Sequence, residues 1–316
     1  MRQSCNLIGA GLIVALLAGC GGAGNGVGPS TATGIAPAIP QIRSLTHKDE
    51  RAVLVVANYV TNTVTEYAPP YTGAPIATIS NSLGLPTGVA FQAVGHRRDL
   101  FVANSAASYN NVVEYAPPYT GAPVATISNS VDRPTHLAFH RRDLFIANSS
   151  NSTVTEFAPP YTGAPIVTVS NGVSSPLAVA FDASGDLWIA NFSNSTITDY
   201  APPYTGAPIT TISNSLGLPG ALAFDVSGDL FVANMSAPSY NNVVEYVPPY
   251  TGAPIATIRK RMHNPDGLAF DASGDLWVAM LANSTVVEYA PPYTRAPSAI
   301  LSNRIKGPTD LAFGTR

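Results

Sequence analysis

From Ala52 onward the chain alternates short apolar runs with polar turns. No 3.6-residue apolar pattern persists for ten residues beyond the N-terminal segment, which excludes helical solenoids. The stretch from Pro176 to Ser213 shows the unit. Val179-Ala180-Phe181 is apolar, Asp182 to Asp186 is turn chemistry, and Leu187 to Ala190 is apolar again, a pattern that predicts a hairpin closed by a glycine at positive φ. A polar turn at Asn191 to Asn194 leads into Ser195 to Tyr200, which alternates and is rich in β-branched residues, as a third strand would be. Pro202-Pro203 cannot donate to a ladder and so marks a loop, after which Ile209 to Ile212 makes a fourth strand.

This unit recurs. An eight-residue phrase, Ala-Pro-Pro-Tyr-Thr-Gly-Ala-Pro, begins at Ala68 and returns five times with little change, its tyrosines being Tyr71, Tyr119, Tyr161, Tyr204, Tyr250 and Tyr293. Four short strands in a repeat of 42 to 48 residues is the blade pattern of a β-propeller. Leu268 to Asp271, Gly274 to Ala279 and Val286 to Tyr289 resemble NHL-type repeats, whose family forms six-bladed propellers and includes scaffolds, ligand binders, lyases and lactonases. The expected fold is therefore all-β, a six-bladed propeller with four antiparallel strands per blade over residues 51–316. First strands centre on Val89, Leu137, Val179, Leu222, Leu268 and Leu311, and second strands on Val55, Val102, Phe145, Trp188, Phe231 and Trp277. The repeat thus starts at a second strand, Ala52 to Ala57, and stops at a first strand, Thr309 to Phe313. Each would otherwise present an unpaired edge, so the two are expected to pair and close the ring.

The units are not equivalent. The turns between second and third strand are longer at Asn104 to Glu114 and Asn234 to Glu245, and both end in Ser-Tyr-Asn-Asn-Val-Val-Glu-Tyr. Equivalent prolines three units apart are separated by 133, 131 and 132 residues, which points to a duplicated three-blade half with the long turns on opposite sides of the ring. Those turns share a face with the connections entering each innermost strand, where propeller loops converge on the channel. Tyr109 with Asn110, and Tyr240 with Asn241, are expected to reach over the mouth, where aromatic rings beside amides suit a sugar or peptide.

Other residues break the repeat. Two positions after the innermost-strand proline come Gly88, His136, Ala178, Ala221, Gly267 and Asp310; two of the six are ionisable where the repeat prefers small residues. With Asp266 they set His136, Asp266 and Asp310 at the channel mouth, a candidate ligand, acid–base or metal site, against the plainer reading of a solvated lining. Arg259 to His263 lies on the same face and can steer an anion. Asn58, Asn104, Asn148, Asn191 and Asn234 form a near-complete ring. Metal-dependent lactonases of this architecture use amide and carboxylate ligands near there, but no matching glutamate aligns, and a loop-holding role is the plainer reading. Glu66, Glu114, Glu156, Asp199, Glu245 and Glu288 fill one strand position six times, as hydrogen-bond acceptors for hydroxyls or main chain between blades. The Asp-x-Ser-Gly-Asp turns at Asp182, Asp225 and Asp271 lack the alternating acids of calcium loops and read as hairpin chemistry. On the face opposite the mouth, His96-Arg97-Arg98 and His140-Arg141-Arg142 make a local basic patch beside the Pro-Pro-Tyr loops.

Charged residues make up 11% of the chain and the net charge is −3, too little basic surface for nucleic acid. Arg2 followed by the apolar Leu7 to Leu17 is a targeting segment too short for a stable span. Leu17-Ala18-Gly19-Cys20 resembles the lipobox of bacterial lipoproteins, which implies a signal over residues 1–19, lipidation at Cys20 and, with Gly21 following, the outer membrane where the cell has one. Residues 20–50 then act as a flexible tether with a reach of about 30 Å. The expected protein is a monomeric, membrane-tethered, extracytoplasmic binding or scaffold propeller without cofactor, recognising a glycan, peptide or protein on its channel face. A metal-dependent lactonase or streptogramin-lyase-like enzyme is the alternative, a divalent metal being expected only with that enzyme reading, and a structural envelope protein is a second.

Overall fold

A computed structural model of the chain describes residues 52–95, 97–235 and 241–315. The signal segment, Cys20, the tether, His96 and Tyr240 lie outside them. Twenty-four strands, and no helix, occur among the described residues, grouped into six four-stranded antiparallel sheets. No helix there is long and apolar enough to cross a membrane. Blade 1 orders Pro308–Thr315, Ala52–Asn58, Thr63–Tyr67 and Ala77–Ile79 from channel to rim, and blades 2 to 6 follow in chain order with inner strands Pro86–Val94, Pro134–His140, Pro176–Phe181, Pro219–Phe224 and Pro265–Phe270. The ring closes as the repeat predicts: Ala52 pairs with Thr315 and Val56 with Leu311.

The core lies between the blades. One apolar cluster joins Val55, Ala57 and Val64 of blade 1 to Val89, Leu100 and Val102 of blade 2. Equivalent clusters fill the other interfaces, including the closing one, where Leu54, Val56 and Leu311 of blade 1 meet Trp277, Ala279 and Val286 of blade 6. A single blade exposes both faces of its sheet, so stability comes from stacking neighbours in a closed circle.

The repeated phrase is explained by its tyrosine. In each phrase the Pro-Pro bond is cis and the tyrosine that follows has positive φ, which turns the ring inward. Tyr204 is 6% exposed; its ring packs edge-on against Phe145 of the preceding blade at 5.4 Å, and its hydroxyl donates to Gly185 O of its own blade at 2.9 Å. Tyr161, Tyr250 and Tyr293 make the same bracket onto Phe101, Trp188 and Phe231. The Pro-Pro-Tyr loops thus pack onto their neighbours and leave these rings inside. Tyr204→Ala is expected to lower the free energy of urea unfolding by about 3–5 kcal/mol, and Tyr204→Phe, which keeps the ring and loses one hydrogen bond, by about 1 kcal/mol. Equal losses for the two would contradict the bracket.

A second device ties the channel-mouth loops together. Asn62, Asn110, Ser152, Ser195, Asn241 and Ser284 each accept from the backbone N–H of the residue before the next blade's inner-strand proline, namely Leu85, Arg133, Ser175, Leu218, Asn264 and Gly307. All six donors sit in the left-handed region, with φ between 48° and 58°, a conformation that costs a non-glycine residue about 1 kcal/mol. The latch helps to hold five non-glycine residues there.

Candidate functional site

A cavity of about 440 Å³ opens at the channel mouth, within the range of small-molecule sites. Two rings line it. Each inner strand has a β-bulge just after its first proline, and the extra residue supplies the inner ring: Thr309, Thr87, Thr135, Leu177, Gly220 and Asp266 for blades 1 to 6. The outer ring is the residue after each second strand: Tyr59, Ser105, Ser149, Phe192, Met235 and Leu281. Every blade contributes one residue to each.

The rings divide the cavity into unlike halves. In blades 1 to 3 the threonine and serine hydroxyls bond main chain: Thr87, Thr135 and Thr309 donate to Pro134 O, Pro176 O and Pro86 O of the next blade at 2.7, 2.9 and 3.0 Å, while Ser105 and Ser149 donate to Leu85 O and Arg133 O at 3.0 Å; Tyr59 is the sixth lining residue of this half. Blades 4 to 6 present Leu177, Phe192, Met235 and Leu281, with Asp266 among them. Met235 lies over Gly220, where an added Cβ would stand 2.3 Å from its Sδ, so the glycine makes room for the thioether. The threonine and serine hydroxyls of one half are thus fixed by main-chain bonds, while the other half is an apolar surface.

His136 lines the cavity and Asp310 lies behind it. His136 Nε2 lies 3.8 Å from Asp310 Oδ2, beyond hydrogen-bonding distance. Asp310 Oδ2 accepts from Val89 N at 2.8 Å and His136 Nδ1 from Val179 N at 3.4 Å, which puts the imidazole proton on Nε2. Burial lowers His136 to about 4; it raises Asp310 to about 7 despite N–H donors from Val89 and Leu311. An ion pair would shift both the other way, so desolvation outweighs the pairing and both groups are neutral between those values. Asp266 is raised to about 8, by burial first and by the charge of Asp310 second. The close approach of inner strands explains the small residues beside them, since a Cβ on Gly88 would fall 2.9 Å from His136 Cα and one on Gly267 2.8 Å from Asp310 Cα.

Of the residues singled out in the sequence, His136 and Asp266 line the cavity and Asp310 backs it. The long-turn residues are elsewhere. Tyr109 is 40% exposed and lies flat over Gly84, where an added Cβ would fall 2.3 Å from the tyrosine Cδ2; Asn110 and Asn241 belong to the inter-blade latch. None of the three reaches the cavity. The asparagine ring holds loops: Asn58, Asn104, Asn148, Asn191 and Asn234 accept from Lys306, Gly84, Asp132, Ser174 and Gly217 N–H groups and are fully buried.

The Asp-x-Ser-Gly-Asp turns are hairpin chemistry, as in Asp271, whose Oδ1 accepts from Ser273 N and Asp275 N and whose Oδ2 accepts from Trp277 Nε1. Among the described residues, the acids close enough to share a cation are Asp271, Asp275 and Glu288, with ligand atoms within 4.8 Å of one another. They lie on the face opposite the cavity.

The two lining rings are the part the sequence reading missed. A signal existed, because the duplicated halves differ at all six paired lining positions: Thr87 and Gly220, Thr135 and Asp266, Leu177 and Thr309, Tyr59 and Phe192, Ser105 and Met235, Ser149 and Leu281. The bulge is what turns the inner-ring positions toward the channel, and a bulge leaves no distinct mark in the apolar pattern.

Comparison with known proteins bears on the architecture. The SMP-30/gluconolactonase/LRE-like region matches residues 205–316, about blades 5, 6 and the closing strand. No curated protein matches the chain. A protein of unknown function from Bacteroides caccae is 14% identical with a TM-score of 0.65, covering 83% of this chain and 98% of its own. A chain of the nidogen/laminin complex is 14% identical with a TM-score of 0.66 over the same shares, and a provisional 6-phosphogluconolactonase from Bacteroides uniformis is 12% identical with a TM-score of 0.60, covering 84% of this chain and 100% of its own. What this chain shares with them is the all-β propeller fold.

Proposed function

We propose that the chain is a ligand-binding propeller that takes a small amphipathic molecule into the channel-mouth cavity and does no chemistry on it. The observation that carries this is the division of the lining: the threonine and serine hydroxyls of blades 1 to 3 are bonded to main chain, while Leu177, Phe192, Met235 and Leu281 form an open apolar wall. A catalytic reading asks His136 for a free lone pair, and its Nδ1 already accepts from Val179 N. The ligand is then held by apolar contact and by the polar groups left at the edge, among them Arg133 and Asp266. The proposal keeps the lipid anchor at Cys20 and the tether behind it, which would present the mouth outside the cytoplasm, and a glycan or peptide with an apolar face remains within the ligand class. No nucleic-acid role is proposed.

The neutral fluorophore N-phenyl-1-naphthylamine tests this. It is expected to brighten on binding, and Leu177→Thr with Phe192→Ser, residue types already present at those ring positions in blades 1 to 3, should weaken it by at least about tenfold, as loss of about 1.4 kcal/mol of apolar contact requires. An absence of binding, or an unchanged affinity in the double variant, would overturn the proposal. The lactonase reading is favoured by the partial match to the gluconolactonase region. It predicts chelator-sensitive hydrolysis of glucono-δ-lactone, whereas the binding reading expects none above background.

A further inference from the structure

We propose that the ligand of this cavity carries an anionic head group, which rests on a basic arc formed by the channel-mouth loops leading into blades 6 and 1. The inference rests on the cavity being a ligand site and adds the chemical class of the ligand.

The loop 259–263 leads into blade 6 and the loop 302–307 into blade 1, and Lys260, Arg261, Arg304 and Lys306 on them are exposed. Between the two loops lies the turn that carries Leu281 of the apolar wall. Leu281 N and Ala282 N donate to Asn264 O and His263 O on one side, and Ser284 Oγ accepts from Gly307 N on the other. A Cβ at Gly307 would meet Val60 Cγ2 at 2.6 Å and Leu281 Cδ1 at 3.5 Å. Val60, 66% exposed, therefore continues the apolar wall from Leu281 outward, beside Lys306, whose carbonyl accepts from Val60 N. An apolar path thus leaves the cavity between two cationic loops.

The positive charge predominates on this face. The described carboxylates here are Asp132, on the loop into blade 3 across the ring, and Asp266 and Asp310, both buried and raised by that burial, so the four exposed cations outnumber the exposed acids. The other described acids lie toward the hairpin ends of the blades. A molecule with its apolar part on Leu177, Phe192, Met235 and Leu281 can leave along Val60 with its head group among the four cations. A carboxylate and a phosphate monoester satisfy that chemistry alike.

Displacement of bound N-phenyl-1-naphthylamine by decanoate, decyl phosphate, decanol and decylammonium separates the outcomes. The two anions are expected to displace the probe at concentrations at least about tenfold lower than decanol, with the advantage shrinking in high salt, and whichever anion is stronger identifies the head group. Lys260→Gln, Arg261→Gln, Arg304→Gln and Lys306→Gln together should remove the advantage and leave decanol unchanged, while Arg141→Gln with Arg142→Gln on the opposite face should change neither. Equal displacement by decanol, preference for decylammonium, or an anion advantage that survives either high salt or the fourfold variant would overturn the inference. If the probe itself fails to bind, the cavity reading fails first; if it binds without anion preference, only this inference falls. The salt series uses the unaltered chain, so the test stands even where the fourfold variant does not fold.

Discussion

Removal of residues 308–316 is expected to abolish the cooperative unfolding transition. The lost segment is the innermost strand of blade 1, paired to Ala52–Asn58 over its length, and it brings Leu311 into the cluster with Trp277 and Val286 of blade 6. Phe313, which packs edge-on with Tyr71 at 5.5 Å and Trp277 at 5.8 Å, leaves with it. Loss of buried leucine and phenylalanine alone costs about 2–5 kcal/mol each, and the exposed strand edge and unstacked blades 6 and 2 add to that, against a total stability of about 5–15 kcal/mol for a domain. The measurement is thermal unfolding by circular dichroism, repeated with a synthetic peptide of residues 307–316 added in trans. The expected result is a broad, low-temperature loss of signal that the peptide sharpens. A truncated chain melting as sharply and as high as the full chain would mean that closure does not hold the ring.

That closure was legible in the chain because the repeat is offset from the blade. The first apolar run, Ala52 to Ala57, matches second strands and the last, Thr309 to Phe313, matches first strands, so pairing them was the arrangement without an open edge. Strand identity was legible for the same reason: Leu187 to Ala190 and Thr196 to Tyr200 read as strands and are strands. The outer strands were harder, since three residues such as Thr210–Ile212 carry too little pattern to fix their bounds. The role of the phrase tyrosine was not legible, because a tyrosine between prolines and glycine looks exposed until a cis bond and a positive φ turn it inward.

The candidate site was legible only in part. His136, Asp266 and Asp310 stood out because they break the pattern of small residues at the inner-strand entrance, and they do gather at the channel. Tyr109 and Asn110 stood out because their turn is long, yet extra length placed the tyrosine over Gly84 and the asparagine in a latch shared by all six blades. Length of a turn indicates room, not direction. The apolar wall stayed hidden for the opposite reason: Leu177 in a propeller is an ordinary core residue until the bulge points it at the channel, and Met235 is an ordinary residue after a second strand.

Raising the pH from about 4.5 to about 7 is expected to destabilise the fold. Six strand carboxyls are held above their ordinary range, burial being the first cause in each: Glu114, Glu156, Asp199 and Asp310 to about 7, Asp266 to about 8, and Glu245 upward. At Glu114 the neighbouring Asp99 adds to burial; at Glu156, Asp143 does; at Asp199, Asp186 and Asp182 do. The folded chain keeps these protons where the unfolded chain, with carboxyls near about 4, has released them, so stability present in full below pH of about 4 is lost as the pH climbs through the folded values. His136 works in the other direction, since its lowered value gives stability present above about 6.5 and lost toward about 4. One imidazole against six acids leaves the slope negative. The melting temperature should therefore be about 5–10 °C higher at pH of about 5 than at pH of about 8, and Glu114→Gln, Glu156→Gln and Asp199→Asn combined should flatten the difference. A melting temperature that rises over that interval would show that these acids find cations or donors in solution that hold them ionised.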